Sequence, residues 1–299
     1  MKRESIFKKI YIVCYQVHSM MLNIWRLFPI LWHRAPKHYL SITAIVKNEG
    51  QYLKEWIEYH LLVGVEHFYI YDNESNDDTF EVLKPYLNLG VVDYFQFPGK
   101  AVQIQAYQDA TRRFRFRTYW MAYIDADEFI VPDKVNTIPE LLKPLENKSV
   151  GGLVVSWVLF DSNGHVRKPN GLVVESFRST HSAVNKANLN VKTIARPCFV
   201  LFCDIHHCLY CGYFNAVDET GKVVHGPFNP MKPINTIRIN HYWTKSAEEF
   251  RAKVDRGRAD GGVKRNFDLY LDQLNFIDAE YDNIMDRFIP ALRRRMDMQ

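Results

Sequence analysis

The stretch Tyr119-Trp120-Met121-Ala122-Tyr123-Ile124-Asp125-Ala126-Asp127-Glu128-Phe129-Ile130-Val131 decides how this chain is read. Its opening run is apolar or aromatic throughout, the pattern of a strand covered on both faces. Three carboxylates follow within four residues, and then core-type residues resume. Carboxylates this close repel one another unless a cation sits among them. In Asp-x-Asp spacing both side chains can turn toward one hard divalent ion. A solvated loop is rarely flanked so tightly by core, so Asp125 and Asp127 are candidate metal ligands at a strand end.

Upstream, Ser41–Val46 reads as a buried strand and Lys47-Asn48-Glu49-Gly50 as a loop. Apolar residues at 52, 53, 56, 57, 61 and 62 have helical spacing, and Gly64 stops that helix. His67–Tyr71 is a second strand, followed by the acidic loop 72–78, with Asp78 or Thr79 capping the next helix. Val91–Phe97 is a third strand, Lys100–Arg113 a helix and Tyr119–Ile124 a fourth strand. Strand and helix alternating at short intervals predict an α/β fold with a mostly parallel sheet. Ligands of such sheets bind at the carboxyl ends of the strands, where Asp72 and the Asp125–Asp127 loop fall. Beyond residue 130 the rhythm changes to strand-like runs at 152–160, 172–177, 191–196 and 199–203, with a helix only after Lys245. The second half is expected to be an α+β region built on the first.

The chain has 299 residues, 47% apolar and 24% charged, which excludes disordered, collagen-like and polytopic membrane classes. The net charge of +4 is uneven, since residues 1–40 carry seven Lys or Arg against Glu4 alone. The remainder is therefore slightly acidic, which argues against nucleic-acid binding even at Arg112-Arg113-Phe114-Arg115-Phe116-Arg117. Residues 1–40 hold no clean apolar run of about 20 residues, so a basic amphipathic helix is expected rather than a span, lying either in peripheral contact with an anionic membrane surface or packed on the protein's own body. After residue 260 a helical extension to residue 299 is expected, ending in Arg293, Arg294 and Arg295. Five cysteines are too few for a disulfide scaffold and imply a reducing compartment. Cys198, Cys203, His206, His207, Cys208 and Cys211 suggest zinc, but only Cys208-x-x-Cys211 has ligand-pair spacing. The glycine patterns of mononucleotide and dinucleotide loops are absent, as is a serine nucleophile elbow.

Four segments in order carry a resemblance: SITAIVKNEGQYLKEWIEYHLLVGVEHFYIYDNESNDDT (41–79), FPGKAVQIQAYQDA (97–110), WMAYIDADEFIVP (120–132) and INHYWTKSAEEFRAKVDRGRAD (239–260). Together they resemble glycosyltransferases of GT-A fold in the family 92 and family 2-like group. The resemblance implies a GT-A domain over 41–260, with a nucleotide-sugar half at 41–130 and an acceptor half at 131–260. It implies a nucleotide-sugar donor, a divalent metal (Mn²⁺ or Mg²⁺) and inverting transfer to a glycan or lipid-linked acceptor hydroxyl. Asp127 would bind the ion, and Asp125 the ribose and the ion, with His241 completing the metal site. Asp72 would read the base, Lys47 and Glu49 would lie near the nucleotide, and Lys100 and Gln105 would face the diphosphate.

Such a transfer needs positive charge against the leaving diphosphate, for which Lys100, Lys245, Arg256 and Arg258 are candidates. It also needs a general base for the acceptor hydroxyl. Candidates are Asp161, Glu175, Asp204, His207 and Asp218, with Glu175 first because it sits in a segment similar to one in bacterial relatives. The expected setting is bacterial surface-polysaccharide synthesis on the inner face of the cytoplasmic membrane. The competing readings are a sugar-nucleotide hydrolase or nucleotidyltransferase with the same metal loop, and a non-catalytic glycan-binding scaffold.

Overall fold

The computed structural model describes residues 35–180, 186–257, 266–268 and 280–297. The expected amphipathic leader lies almost wholly outside them, as does Arg258. Among the described residues no helix is long and apolar enough to cross a membrane.

The first half alternates as expected: β1 (His38–Val46), α1 (Gly50–Leu62), β2 (His67–Asp72), α2 (Thr79–Asn88), β3 (Val92–Gln96), α3 (Gln103–Phe114), β4 (Thr118–Tyr123) and β5 (Glu128–Pro132). The second half adds α4 (Ile138–Leu142), β6 (Val150–Leu159), α5 (Val173–Ser176), β7 (Ser179–Thr180), β8 (Val191–Ala195), β9 (Val200–Cys203), β10 (Cys208–Tyr210), β11 (Asn215–Val217) and β12 (Ile237–His241). It closes with α6 (Ala247–Arg256), β13 (Glu280–Tyr281) and α7 (Ile289–Asp297). The main sheet runs β3-β2-β1-β4-β8-β6-β12-β5, with β11 beside β6. β3, β2, β1 and β4 are mutually parallel, β8 runs antiparallel to both β4 and β6, and β12 is parallel to β6. The two halves thus share one mixed α/β sheet. The chain joins it at His38, inside the stretch assigned to the leader.

β5 ends the sheet order, paired with β12 on one side only. Its other edge is met by side chains of α1. Trp56 Nε1 donates to the Glu128 carbonyl (2.8 Å) and the Tyr59 hydroxyl to that of Ile130 (3.1 Å). His60 holds its Nδ1 proton on the Trp56 carbonyl (2.8 Å), so its Nε2 accepts the Ile130 amide (3.2 Å). Burial pulls the His60 imidazole down to about 3, which keeps it in the neutral form this bond needs. An edge that would otherwise leave backbone groups unpaired is closed by a helix.

Residues 172–177 are not a strand. Glu55 of α1, buried, accepts the amides of Val173 (2.8 Å) and Val174 (3.1 Å) and so turns this β-branched run into the short helix α5. Burial pushes the Glu55 carboxyl up to about 7, against 4.5 in an open chain. Between those values the unfolded chain releases a proton that the folded chain keeps. The stability from this site is therefore complete below about pH 4.5 and is lost as pH rises to about 7, a change of about 3 kcal/mol. Denaturant titrations at pH 4.5 and 7.5 on the wild type and Glu55→Gln check this, because the substitution should flatten that part of the pH dependence.

Other expectations shift locally. Asp78 precedes α2 without a side-chain cap. Asp77 instead accepts the amides of Thr79 and Gly50, both at 3.0 Å. Gly50 is confined there, since a Cβ on it would lie 2.1 Å from Asp78 Oδ1. Of the C-terminal extension, α7 docks on the core through Leu292.

Candidate functional site

Strand order 3-2-1-4 makes the gap between β1 and β4 the point where the chain reverses its direction of winding, and a ligand crevice opens outside the carboxyl ends there. A cleft of about 500 Å³ occupies this position. Lys47 and Glu49 enter it from the β1 end, Asn73 and Glu74 from the β2 end, and Lys100 and Gln103 from the start of α3. Asp125 and Asp127 line it from the β4 end, opposite Trp157, His206, His241, Lys253 and Arg256.

Each carboxylate of the Asp-x-Asp pair is already matched by a lysine. Asp125 Oδ2 meets Lys192 Nζ of β8 at 2.9 Å, while its Oδ1 accepts Gln103 Nε2 at 2.6 Å. Lys192 is fully buried and also lies 3.4 Å from Glu128 Oε2, which accepts the Asp125 amide at 2.9 Å. Burial alone would raise the Asp125 carboxyl, but Lys192 overrides it and holds it below the usual range. Glu128 goes the other way, because burial outweighs Lys192 and holds it well above its usual value. Asp127 Oδ2 pairs with Lys253 Nζ, which also donates to the Trp243 carbonyl at 2.7 Å. Against burial, Lys253 and His241 hold Asp127 well below the carboxylate range.

His241 ends β12, where its Nε2 stands 3.5 Å from Asp127 Oδ1 and its ring packs edge-on to Trp157 at 4.3 Å. Ligands of one ion stand roughly 3 Å apart when each is about 2.1 Å from it. A carboxylate oxygen and an imidazole nitrogen stand at close to that separation here, and Asp125 is the adjacent carboxylate. Among the described residues no group of three or more His, Cys, Asp or Glu side chains is placed to hold a metal ion as it stands.

After β12, Ser246 and Glu249 cap α6 reciprocally, fixing where the helix starts. Lys253 and Arg256, three apart, therefore share the face toward the cleft. Arg256 donates to the carbonyls of Lys47 (2.7 Å) and Asn48 (3.0 Å) and pairs with Glu49, tying the β1 loop to α6.

Several expected site residues lie elsewhere. Gln105 is exposed on α3 and does not line the cleft; Gln103 does, because the helix begins at 103 and turns residue 105 away. Asp72 is buried behind the cleft, accepting the Ser75 amide (2.8 Å) and the Tyr94 hydroxyl (2.6 Å), and its neighbour Asn73 reaches the cleft instead. Glu175 sits on α5 paired with Arg293, outside the cleft. Asp161 and Asp218 are committed to turns, accepting the amides of Asn163 (2.7 Å) and Thr220 (2.9 Å). Lys245 packs over the Tyr52 ring in an adjoining cavity of about 380 Å³. Lys192, Gln103, Lys253 and Trp157 were not singled out from the sequence. Lys192 had a signal: a lone cation in the run Val191-Lys192-Thr193-Ile194-Ala195 has to find a buried partner.

Cys203 and Cys208 form a disulfide across β9 and β10, which removes both from any zinc site and corrects the expected reducing compartment. In the Arg112–Arg117 segment, Arg112 and Arg113 pair with Asp109 and Phe114 is buried, as in a helix end facing water.

Sequence comparison gives the lineage. The model of glycosyltransferase family 92 matches residues 40–257. A family 92 protein of Arabidopsis thaliana is 31% identical over 234 residues, covering 74% of this chain and 38% of that protein. Another, of Ricinus communis, is 32% identical over 117 residues, 38% of this chain and 20% of that protein. The galactan beta-1,4-galactosyltransferase GALS3 of Arabidopsis thaliana is 36% identical over 109 residues, 33% of this chain and 22% of that one. The chain thus spans between about a fifth and two fifths of the length of these relatives. Among solved structures, S. aureus TarS 1–349 in complex with UDP matches at 12% identity with a TM-score of 0.38, covering 54% of this chain and 47% of that one. The matched relatives overturn the expected setting on a bacterial cytoplasmic membrane, because they are proteins of the plants Ricinus communis, Oryza sativa and Arabidopsis thaliana. With about three quarters of its length matched to the family model, the chain belongs to glycosyltransferase family 92.

Proposed function

We propose that this protein moves a sugar from a uridine diphosphate sugar to a glycan hydroxyl, with inversion at the anomeric carbon. The observation that carries the reading is the cleft at the β1–β4 gap, floored by Asp125 and Asp127 and rimmed by Lys100, Lys253 and Arg256. As the anomeric bond breaks, negative charge grows on the departing diphosphate, and fixed cations stabilise that change more than they stabilise the bound donor. Asp127 and His241, with Asp125, would hold the divalent ion, which when bound neutralises the same charge. Gln103 and Lys192 keep Asp125 oriented, and Arg256 holds the Lys47–Glu49 loop against the nucleotide. Because two relatives are named galactan beta-1,4-galactosyltransferases, UDP-galactose with a galactose-ended acceptor is the first pair to assay.

Thermal stability against a panel of nucleoside diphosphates, with Mn²⁺ or with chelator, tests the donor half of this reading. UDP at 100 times its dissociation constant should add about 2.7 kcal/mol of stability, and only when metal is present. Folded protein that responds to no nucleotide would overturn it.

A further inference from the structure

In-line displacement with inversion needs a proton acceptor on the side of the sugar away from the leaving diphosphate. The carboxylates expected to do this are occupied: Asp161 and Asp218 hold turns, and Glu175 holds Arg293. Asp204 accepts the Ile205 amide at 2.7 Å, and neither it nor His207 lines the cleft. Within the cleft, Asp125 and Asp127 are held by lysines, Glu49 by Arg256, His241 Nε2 faces Asp127, and Glu74 is exposed at the rim, accepting the Gly99 amide at 3.4 Å.

We propose that His206 is the proton acceptor for the incoming hydroxyl, an inference that rests on the transferase reading above. His206 lines the cleft beside Trp157, whose ring lies 5.2 Å away and edge-on. Its Nδ1 is 3.0 Å from the Val191 carbonyl. A carbonyl can only accept, so Nδ1 carries the hydrogen and the lone pair is on Nε2. No described residue hydrogen-bonds that Nε2. Trp157 packs edge-on against both His206 and His241, so the two imidazoles share this indole as a neighbour. The loop carrying His206 is held firmly. The Cys203–Cys208 disulfide closes its base, the Asp204 amide donates to the His207 carbonyl (2.8 Å), and Thr193 Oγ1 donates to the His206 carbonyl (3.0 Å). A group that must meet a substrate atom within a few tenths of an ångström needs such support.

The charged groups facing the ring are Lys192 of β8, Asp125 after β4 and Asp204 of its own loop. Burial, and then Lys192, pull the imidazole down to about 4, so the ring is neutral at pH 7 and its Nε2 lone pair is present. In the step, the acceptor O–H proton moves to Nε2 while the oxygen bonds to the anomeric carbon. The bond from that carbon to the diphosphate oxygen breaks, and its electron pair leaves on the diphosphate. The imidazolium then returns its proton to solvent.

The test compares wild type, His206→Ala and His206→Gln by transfer kinetics, each first shown folded by its melting curve. The expected result is a fall in kcat of about 10² or more with donor KM and the UDP-dependent thermal shift unchanged. Added imidazole should restore part of the His206→Ala rate, and the acid limb of the kcat profile should disappear in both variants. Three results would overturn the inference: wild-type transfer with His206→Ala keeping more than a tenth of kcat, loss of the UDP shift in both variants, or a retained acid limb without imidazole rescue. Absence of any transfer by wild type overturns the functional reading instead, and this inference with it.

Discussion

Asp127→Asn should lower kcat/KM for sugar transfer by about 10³ or more, equivalent to about 4 kcal/mol at 1.36 kcal/mol per decade. The side chain keeps its size but loses the charge that Lys253 and His241 hold in place against burial. Two consequences combine. The cleft loses the carboxylate best placed to hold a cation beside His241, and the Lys253 ammonium is left without its carboxylate counter-charge. Both should appear in the reaction rather than in acceptor binding, because the stabilised charge is the one that develops on the leaving group. Steady-state kinetics with donor and acceptor varied separately check this, alongside the UDP thermal shift with Mn²⁺, which should shrink or vanish. Transfer within tenfold of wild type would mean that the chemistry lies elsewhere.

Lys192→Met should be the most destabilising single change in the cleft floor. The ammonium is fully buried between Asp125 and Glu128. Removing it leaves the Asp125 carboxylate without its cation, and because that side chain is 31% exposed to the cleft the cost falls at the low end for buried pairs, about 3 kcal/mol. For a chain of this size the melting temperature should fall by roughly 10 °C, at about 2–4 °C per kcal/mol. Glu128 contributes little to the loss, since burial already holds its proton on. The unpaired charge is that of Asp125, so Asp125→Asn in the same chain should recover much of the loss. Melting curves of the two variants and the wild type decide it, and a fall under about 2 °C for Lys192→Met would show that the pair is solvated rather than buried.

The sequence carried the first half well because its signals are local. Continuous apolar runs marked β1, β2 and β4, and helical spacing marked α1. The Asp-x-Asp loop was found from its own flanks, and Asp125, Asp127, His241, Lys47, Glu49 and Lys100 do share one cleft. What failed was set at a distance. Val173–Ser176 has strand-type residues but is turned into a helix by Glu55, 118 residues away from Val173. Asp72 reads as a loop acid, yet the Tyr94 hydroxyl and the Ser75 amide take both its oxygens. Gln105 was named from the resemblance alone; α3 begins at Gln103, and on a helix two residues of offset select the opposite face. The acidic candidates of the second half looked free because turn geometry is invisible until the turn is formed. The cysteines suggested an incomplete zinc cluster by their spacing, and the pairing of Cys203 with Cys208 shows only once β9 and β10 are set side by side.

The way β12 and α6 complete the cleft has a consequence for how the protein is made. Asp127 leaves the ribosome long before its partners, with Lys253 lying 126 residues further along. β5 has no strand neighbour until β12 arrives. The parallel strands that carry the acidic loop can thus gather early through local crossovers, while pairings of such sequence separation form late. Synthesis therefore assembles the scaffold before the centre, and a nascent chain holding every acidic residue of the motif is still without the histidine and lysine that give those acids their charge state.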